Sequence, residues 1–197
     1  MDTTLPAHAR PRLYRPLFLL AAGLLGLGFV AGFVSYLQQH RQLPWIHYNL
    51  YLTEADAAYE RGDYPAAMAQ YRKITVLDPG DFQASVRLGM AAAATGLTDE
   101  ALAAFDHALA INPACGDCRQ RKGVIYLTEF WRGDAVAELT AAAALAPGDA
   151  AIWSDLGVAR VKAGDRAGAR EAFIRALTLA PSLRSAQENL ARLEGGA

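Results

Sequence analysis

The chain has 197 residues, 53% of them hydrophobic, a formal net charge of −1 and two cysteines. That length suits one medium domain plus an anchoring segment. Beyond residue 41 it carries 15 Lys+Arg against 19 Asp+Glu, net charge near −4, which excludes the basic footprint of a nucleic-acid binder.

Residues 1–16 carry Arg10, Arg12 and Arg15 with three prolines and read as a short cytoplasmic tail. Leu17 to Leu37 then runs 21 residues without a charge, long enough to cross the hydrocarbon layer as a helix. Tyr14 and Tyr36 flank it where aromatic side chains meet the two interfaces. A cleaved signal peptide is the rival reading. Its apolar run would be about 7–15 residues, and Ala31-Gly32-Phe33 is a poor cleavage site. The arginines lie ahead of the span and only Arg41 closely follows it. By the positive-inside rule the N-terminus stays in the cytoplasm and the remainder is exported. In a bacterium, with which the Ala-, Gly- and Arg-rich composition is compatible, this means an inner-membrane protein with a periplasmic domain. Gly28 and Gly32 have the GxxxG spacing that lets two membrane helices approach closely, so a transmembrane partner helix is a possible tenant of that face. Glycine is also common in membrane helices for its own sake. Residues 38–47 form a short polar linker.

From there the chain is governed by a spacing. Pro79, Pro113, Pro147 and Pro181 stand 34 residues apart. Each ends a similar phrase: Leu77-Asp78-Pro79, Ile111-Asn112-Pro113, Leu145-Ala146-Pro147, Leu179-Ala180-Pro181. Ala67, Ala101, Ala135 and Ala169 recur in step, as do Tyr71, Phe105, Leu139 and Phe173, and also Ile74, Ala108, Ala142 and Ala176. A fixed period of this length signals stacked supersecondary units. Between prolines, two apolar-periodic runs of about 13 residues read as amphipathic helices. Gly62-Asp63, Gly96, Gly133-Asp134 and Gly164-Asp165 divide the paired runs, glycine being suited to the left-handed end of a helix. Proline then stops the second helix. Gly89, Gly123 and Gly157, with Ala55 in the first copy, are small enough for close helix contact.

The fourth copy carries the fullest pattern: Trp153-Ser-Asp-Leu156-Gly157, then Gly164-Asp165, Ala169, Phe173, Ala176 and Pro181. This resembles the tetratricopeptide repeat over about residues 48–181. The expectation is an all-α solenoid of four repeats, 48–81, 82–115, 116–149 and 150–183, behind the membrane helix at 17–37. Residues 184–197 supply a capping helix, with Leu183, Ala186, Leu190 and Leu193 on one stripe, and a frayed end. Solenoids need such a cap with a polar outer face.

Chemistry is sparse. There is no Walker loop, GxSxG, HExxH or dinucleotide fingerprint, and no catalytic residue, cofactor or metal is expected. His8, His40, His47 and His107 are scattered, and His107 reads as a solvated surface residue. The two cysteines form Cys115-Gly-Asp-Cys118 where the second repeat hands over to the third. Haem attachment would need His where Arg119 stands, and zinc would need two more ligands. Three readings remain: a structural disulfide, two unpaired packing residues, or a redox pair.

In the third repeat Phe130-Trp131 stand where the others place the inter-helix glycine, and Gly133-Asp134 come three residues late. With Pro147 still in step, the first helix is expected to run longer and the second shorter, or the turn to be remodelled. The two aromatics either fold under the neighbouring repeat or form a binding anchor.

The family resemblance implies partner binding through the surface built by the first helix of each repeat. The residues expected there are Leu52, Asp56 and Tyr59; Val86, Met90 and Ala93; Gln120, Val124 and Leu127; Ser154, Val158 and Val161. Some members clamp a terminal carboxylate with lysine and asparagine at such places; none of the positions named here is either residue, so that mode is not carried over. The function expected is a non-catalytic membrane-anchored scaffold that binds apolar or helical protein segments in the assembly of envelope or membrane complexes. Two other classes stay open: a permanent accessory subunit of a respiratory or photosynthetic membrane complex, and a redox assistant in cytochrome maturation using Cys115 and Cys118.

Overall fold

The structure is a computed structural model and describes residues 44–195. The expected membrane span at Leu17–Leu37, with Gly28 and Gly32, lies outside the described residues. Among the described residues no helix is long and apolar enough to cross a membrane.

The described residues form nine helices: α1 Pro44–Glu60, α2 Tyr64–Leu77, α3 Phe82–Ala94, α4 Thr98–Ile111, α5 Gly116–Thr128, α6 Arg132–Leu145, α7 Ala150–Ala163, α8 Arg166–Leu179 and α9 Arg184–Gly195. They pair as α1/α2, α3/α4, α5/α6 and α7/α8, and each pair packs on the next. The first helix begins at Pro44, inside the stretch expected as linker.

The repeated residues account for this order. Each second helix ends two residues before its proline, and the residue between turns its N–H back on the helix. Asp78, Asn112, Ala146 and Ala180 donate to the carbonyls of Ile74, Ala108, Ala142 and Ala176 at 2.8–2.9 Å. Within a pair, the helices are held together by a small residue under a large one. The ring of Phe105 lies so close to Gly89 that a Cβ there would stand 2.8 Å away. Gly123 meets Leu139 and Gly157 meets Phe173 in the same way. These three large side chains are fully buried, as is Tyr71 beside Ala55. Burying each is worth roughly 2–3 kcal/mol, and glycine makes the close approach possible.

Helix starts are capped by rule. Asp63, Asp81, Asp149 and Asp165 each accept a backbone N–H from their own first turn, which satisfies one of the unpaired donors at a helix start. Cys115 holds the corresponding place before α5, where its Sγ accepts the Cys118 N–H at 3.0 Å. Leu97 and Trp131, before α4 and α6, make no such bond.

The third repeat departs from expectation. Neither a longer first helix nor a shorter second one forms: α5 and α6 have 13 and 14 residues, matching α3 and α4. Instead Phe130 itself takes the left-handed conformation, with φ of 62°, where Gly62, Gly96 and Gly164 have φ of 74–87°. A residue with a Cβ pays about 1–2 kcal/mol for this. Tertiary packing of Gly123 and Leu139 fixes the helix pair, so the turn must close at its usual place.

Stacking buries a second stripe. Ala84, Cys118, Ile152 and Ala186, 34 residues apart, are essentially inaccessible. One turn on, Leu88, Leu156 and the half-buried Leu190 continue the stripe, but the third repeat has Lys122 there. Its Nζ is 2.5 Å from Asp106 Oδ1 on α4 and 2.8 Å from Glu138 Oε1 on α6, and Glu138 also binds Arg119 at 3.0 Å. Burial pulls the Lys122 ammonium down. The bonds to Asp106 and Glu138 outweigh it and hold the group above the usual lysine range. The buried core divides in α5: one cluster runs from Ala55 to Cys118, and the next runs from Leu127 to Ala172. A third, around Ala169, Phe173 and Ala186, seats α9.

Candidate functional site

The residues expected on the first-helix surface are spread over four helices and differ in availability. Val124 and Val161 are exposed, each by about two fifths, and Ala93 is exposed as well. Leu52, Tyr59, Met90, Gln120 and Val158 are half-buried, while Val86, Leu127 and Ser154 are buried. Leu52, Tyr59 and Met90 pack against the core of the first two repeats.

Asp56 is committed internally. It accepts the Tyr71 hydroxyl at 2.7 Å, and Arg87 Nε lies 3.8 Å away. Burial, then the bond to Asp56, pushes the Tyr71 phenol well above its usual range. Arg87 also sits 5.8 Å from the Tyr59 ring centre. The N-terminal end of the surface is thus a closed polar set.

The open part lies between the second and third repeats. A depression of about 270 Å³ is lined by Ala93 of α3, Phe105 of α4, and Asp117, Gln120, Arg121, Val124 and Ile125 of α5. Its base is aromatic and aliphatic. Its rim is polar, with Arg121 bonded to Asp117 at 2.8 Å and Gln120 bonded to Asp155 of α7 at 2.7 Å. Burial holds the Asp155 carboxyl above its usual range, against the lowering effect of Gln120. The depression opens where α5 leaves the first core cluster.

Phe130 and Trp131 do not fold under a neighbour: Phe130 is 72% exposed and Trp131 47%. Lys162 of α7 lies 5.7 Å from the Phe130 ring centre, and Tyr126 stands 5.5 Å from Trp131, centre to centre. Leu97, one repeat earlier at the position of Trp131, is also exposed. Thr98 and Glu129 tie the two turns together at 3.1 Å. The aromatics were visible in sequence, but the part played by Leu97 appears only when the repeats are laid in register.

Cys115 and Cys118 are joined by a disulfide. His107 is exposed and its Nδ1 lies 2.9 Å from Ser85 Oγ. No group of three or more metal-ligating side chains occurs among the described residues.

Paired helices stacked in register on a 34-residue period, with a first-helix surface open at its middle, define a helical repeat solenoid. The tetratricopeptide-repeat profile matches residues 52–114 and 132–184, and the chain belongs to that family. The interval between the two matches holds the polar part of α5 and the Phe130 turn. No curated protein sequence matches the chain. Among solved structures, MamA from Desulfovibrio magneticus RS-1 is similar at 24% identity, over 76% of this chain and 85% of that one, with a TM-score of 0.72. YrrB, described as having an unusual peptide-binding site, is 17% identical over 82% of this chain and 88% of its own, TM-score 0.66. The first repeat domain of Spaghetti (RPAP3), bound to the HSP90 peptide SRMEEVD, is 19% identical over 58% and 91%, TM-score 0.57. These likenesses establish the fold.

Proposed function

We propose that the protein is a non-catalytic scaffold of the bacterial inner membrane, anchored through Leu17–Leu37, with its repeats in the periplasm. Its task is to hold a largely apolar, helical segment of a protein partner on the first-helix surface. The observation that carries this reading is the depression beside Val124, where an apolar floor opens through a polar rim. An amphipathic helix laid in a groove uses such a floor, and Val161 on α7 is a further exposed apolar side chain of the first-helix surface. The solved relatives that hold peptides, YrrB and the Spaghetti domain, share this fold.

The test exploits exposure. Val124→Glu with Val161→Glu places two charges on side chains that are not in the core. The variant should keep its helix content and lose the protein that co-purifies with the wild type in mild detergent. A variant that retains that protein at wild-type yield would sink the surface as the binding site. Anchoring and orientation are tested separately, by a reporter active only outside the cytoplasm fused after Ala197. It should be active, and a silent reporter on a well-expressed fusion would reject export.

A further inference from the structure

The helices α3, α5 and α7 are preceded by residues at one repeat position: Asp81, Cys115 and Asp149. Asp81 Oδ1 accepts the Ala84 N–H at 2.9 Å and Asp149 Oδ1 accepts the Ala151 N–H at 2.8 Å. Cys115 Sγ accepts the Cys118 N–H at 3.0 Å. In the two sister helices the position therefore holds an anion, as unpaired amides and the positive end of a helix favour. In α5 it holds a disulfide sulfur without charge. Reduction would restore the pattern, because a Cys115 thiolate would occupy the place of the Asp81 and Asp149 carboxylates. Stabilising the reduced partner in this way makes a disulfide more oxidising.

The two sulfurs differ in access. Cys118 lies on the stacking stripe of Ala84 and Ile152 and is fully buried, whereas Cys115 is half-buried. An incoming thiolate can reach Cys115 and not Cys118. As a brace the bond would do little, because the loop it closes is only three residues long in sequence separation and short loops constrain the unfolded chain least.

We propose that Cys115–Cys118 is an exchangeable disulfide that oxidises a dithiol of a partner protein. A partner thiolate attacks Cys115 Sγ, the bond to Cys118 breaks, and Cys118 leaves as a thiolate that takes a proton. The partner's second thiolate then attacks its own sulfur in the mixed disulfide and releases Cys115 as the thiolate at the helix start. Two electrons pass to the pair, and the partner leaves as a disulfide. The helix start does what a neighbouring base or cation does at other reactive cysteines.

The probe is glutathione, used on the full chain in mild detergent without denaturant. The chain is equilibrated over a series of reduced-to-oxidised ratios, then alkylated and weighed. The pair should pass from disulfide to dithiol within the series while helix content stays constant. In single-cysteine variants, Cys115 in Cys118→Ser should be alkylated on the order of 100-fold faster than Cys118 in Cys115→Ser, as a thiolate against a buried thiol. A pair that stays oxidised in excess reduced glutathione until the chain unfolds would overturn the proposal, as would equal alkylation of the two thiols. A further pair separates charge from shape: with Cys118→Ala in both, Cys115→Asp should melt above Cys115→Asn at neutral pH. Equal melting would remove the anion site on which the exchange depends.

Discussion

Gly157 lies against the ring of Phe173 with no room for a Cβ between them. Gly157→Ala should therefore destabilise the chain although alanine is the better helix former. The propensity gain is about 1 kcal/mol; forcing the Phe173 ring aside should cost about 1–3 kcal/mol. Gly133→Ala is the control, since Gly133 lies in α6 with nothing within 4 Å of a Cβ. Urea midpoints should fall for the first and rise for the second. A rise for both would mean that the ring yields freely.

Phe130 stands where the other repeats use glycine, and Trp131 where the first and fourth use aspartate. Phe130→Gly should relieve the left-handed strain and raise stability by about 1 kcal/mol, and Trp131→Asp should add a helix cap worth about 1 kcal/mol. Both gains would be read as shifts in urea midpoint at an unchanged m-value. Loss of stability in Phe130→Gly would show that the ring is repaid by contacts within the chain, Lys162 first among them.

Lys122 takes the place of Leu88 and Leu156 on the stacking stripe. Replacing a buried ion pair with an apolar residue of similar volume is often neutral or stabilising, whereas deleting one partner costs about 3–5 kcal/mol. After Lys122→Leu, Glu138 keeps Arg119 and the exposed Asp106 returns to water. Thermal unfolding should place Lys122→Leu at or above the wild type and Lys122→Ala well below it. Lys122→Leu melting as low as Lys122→Ala would show that the charge network holds the junction.

Asp155 provides a pH signature. Its carboxyl is raised by burial, so between its unfolded and folded values the folded chain binds the extra proton. Stability then falls as pH rises through that window, and the cost is complete above the folded value. Asp155→Asn keeps an acceptor for Gln120 and escapes the cost. The variant should be more stable than the wild type at neutral pH, and the difference should shrink as pH falls below the unfolded carboxylate range near 4. A difference that does not depend on pH would put the effect in packing instead.

The repeat grid made most of the fold legible. A proline bars helical geometry in the residue before it, so Pro79, Pro113, Pro147 and Pro181 each follow a helix end, and Gly89 with Phe105 or Gly157 with Phe173 forms a small–large pair at constant spacing. Such signals are local and survive without tertiary knowledge. Lys122 was not legible in that way. A charge inside a helix reads as surface, and only alignment with Leu88 and Leu156 places it in the stack. The Phe130 turn misled for a related reason. Local preference favours glycine there, so the sequence reads as a shifted turn, but the Gly123–Leu139 contact on either side leaves the chain no slack to move it. Cys115 as a helix cap likewise becomes visible only beside Asp81 and Asp149. The surface residues were placed on the right helices, yet their exposure depends on neighbours that the periodicity does not contain.

The break in the apolar core at α5 bears on how the molecule comes apart. Repeat arrays are held by nearest-neighbour interfaces, and their stability can be parcelled along the chain. Here the middle interface carries an ammonium between two carboxylates at the place where its neighbours carry Leu88 and Leu156, and the apolar cluster on its first-repeat side ends at Cys118. Amide hydrogens of α1–α4 and of α5–α9 should therefore exchange as two cooperative blocks with separate opening free energies. The junction between them would act as the fold line along which one half can open while the other remains intact.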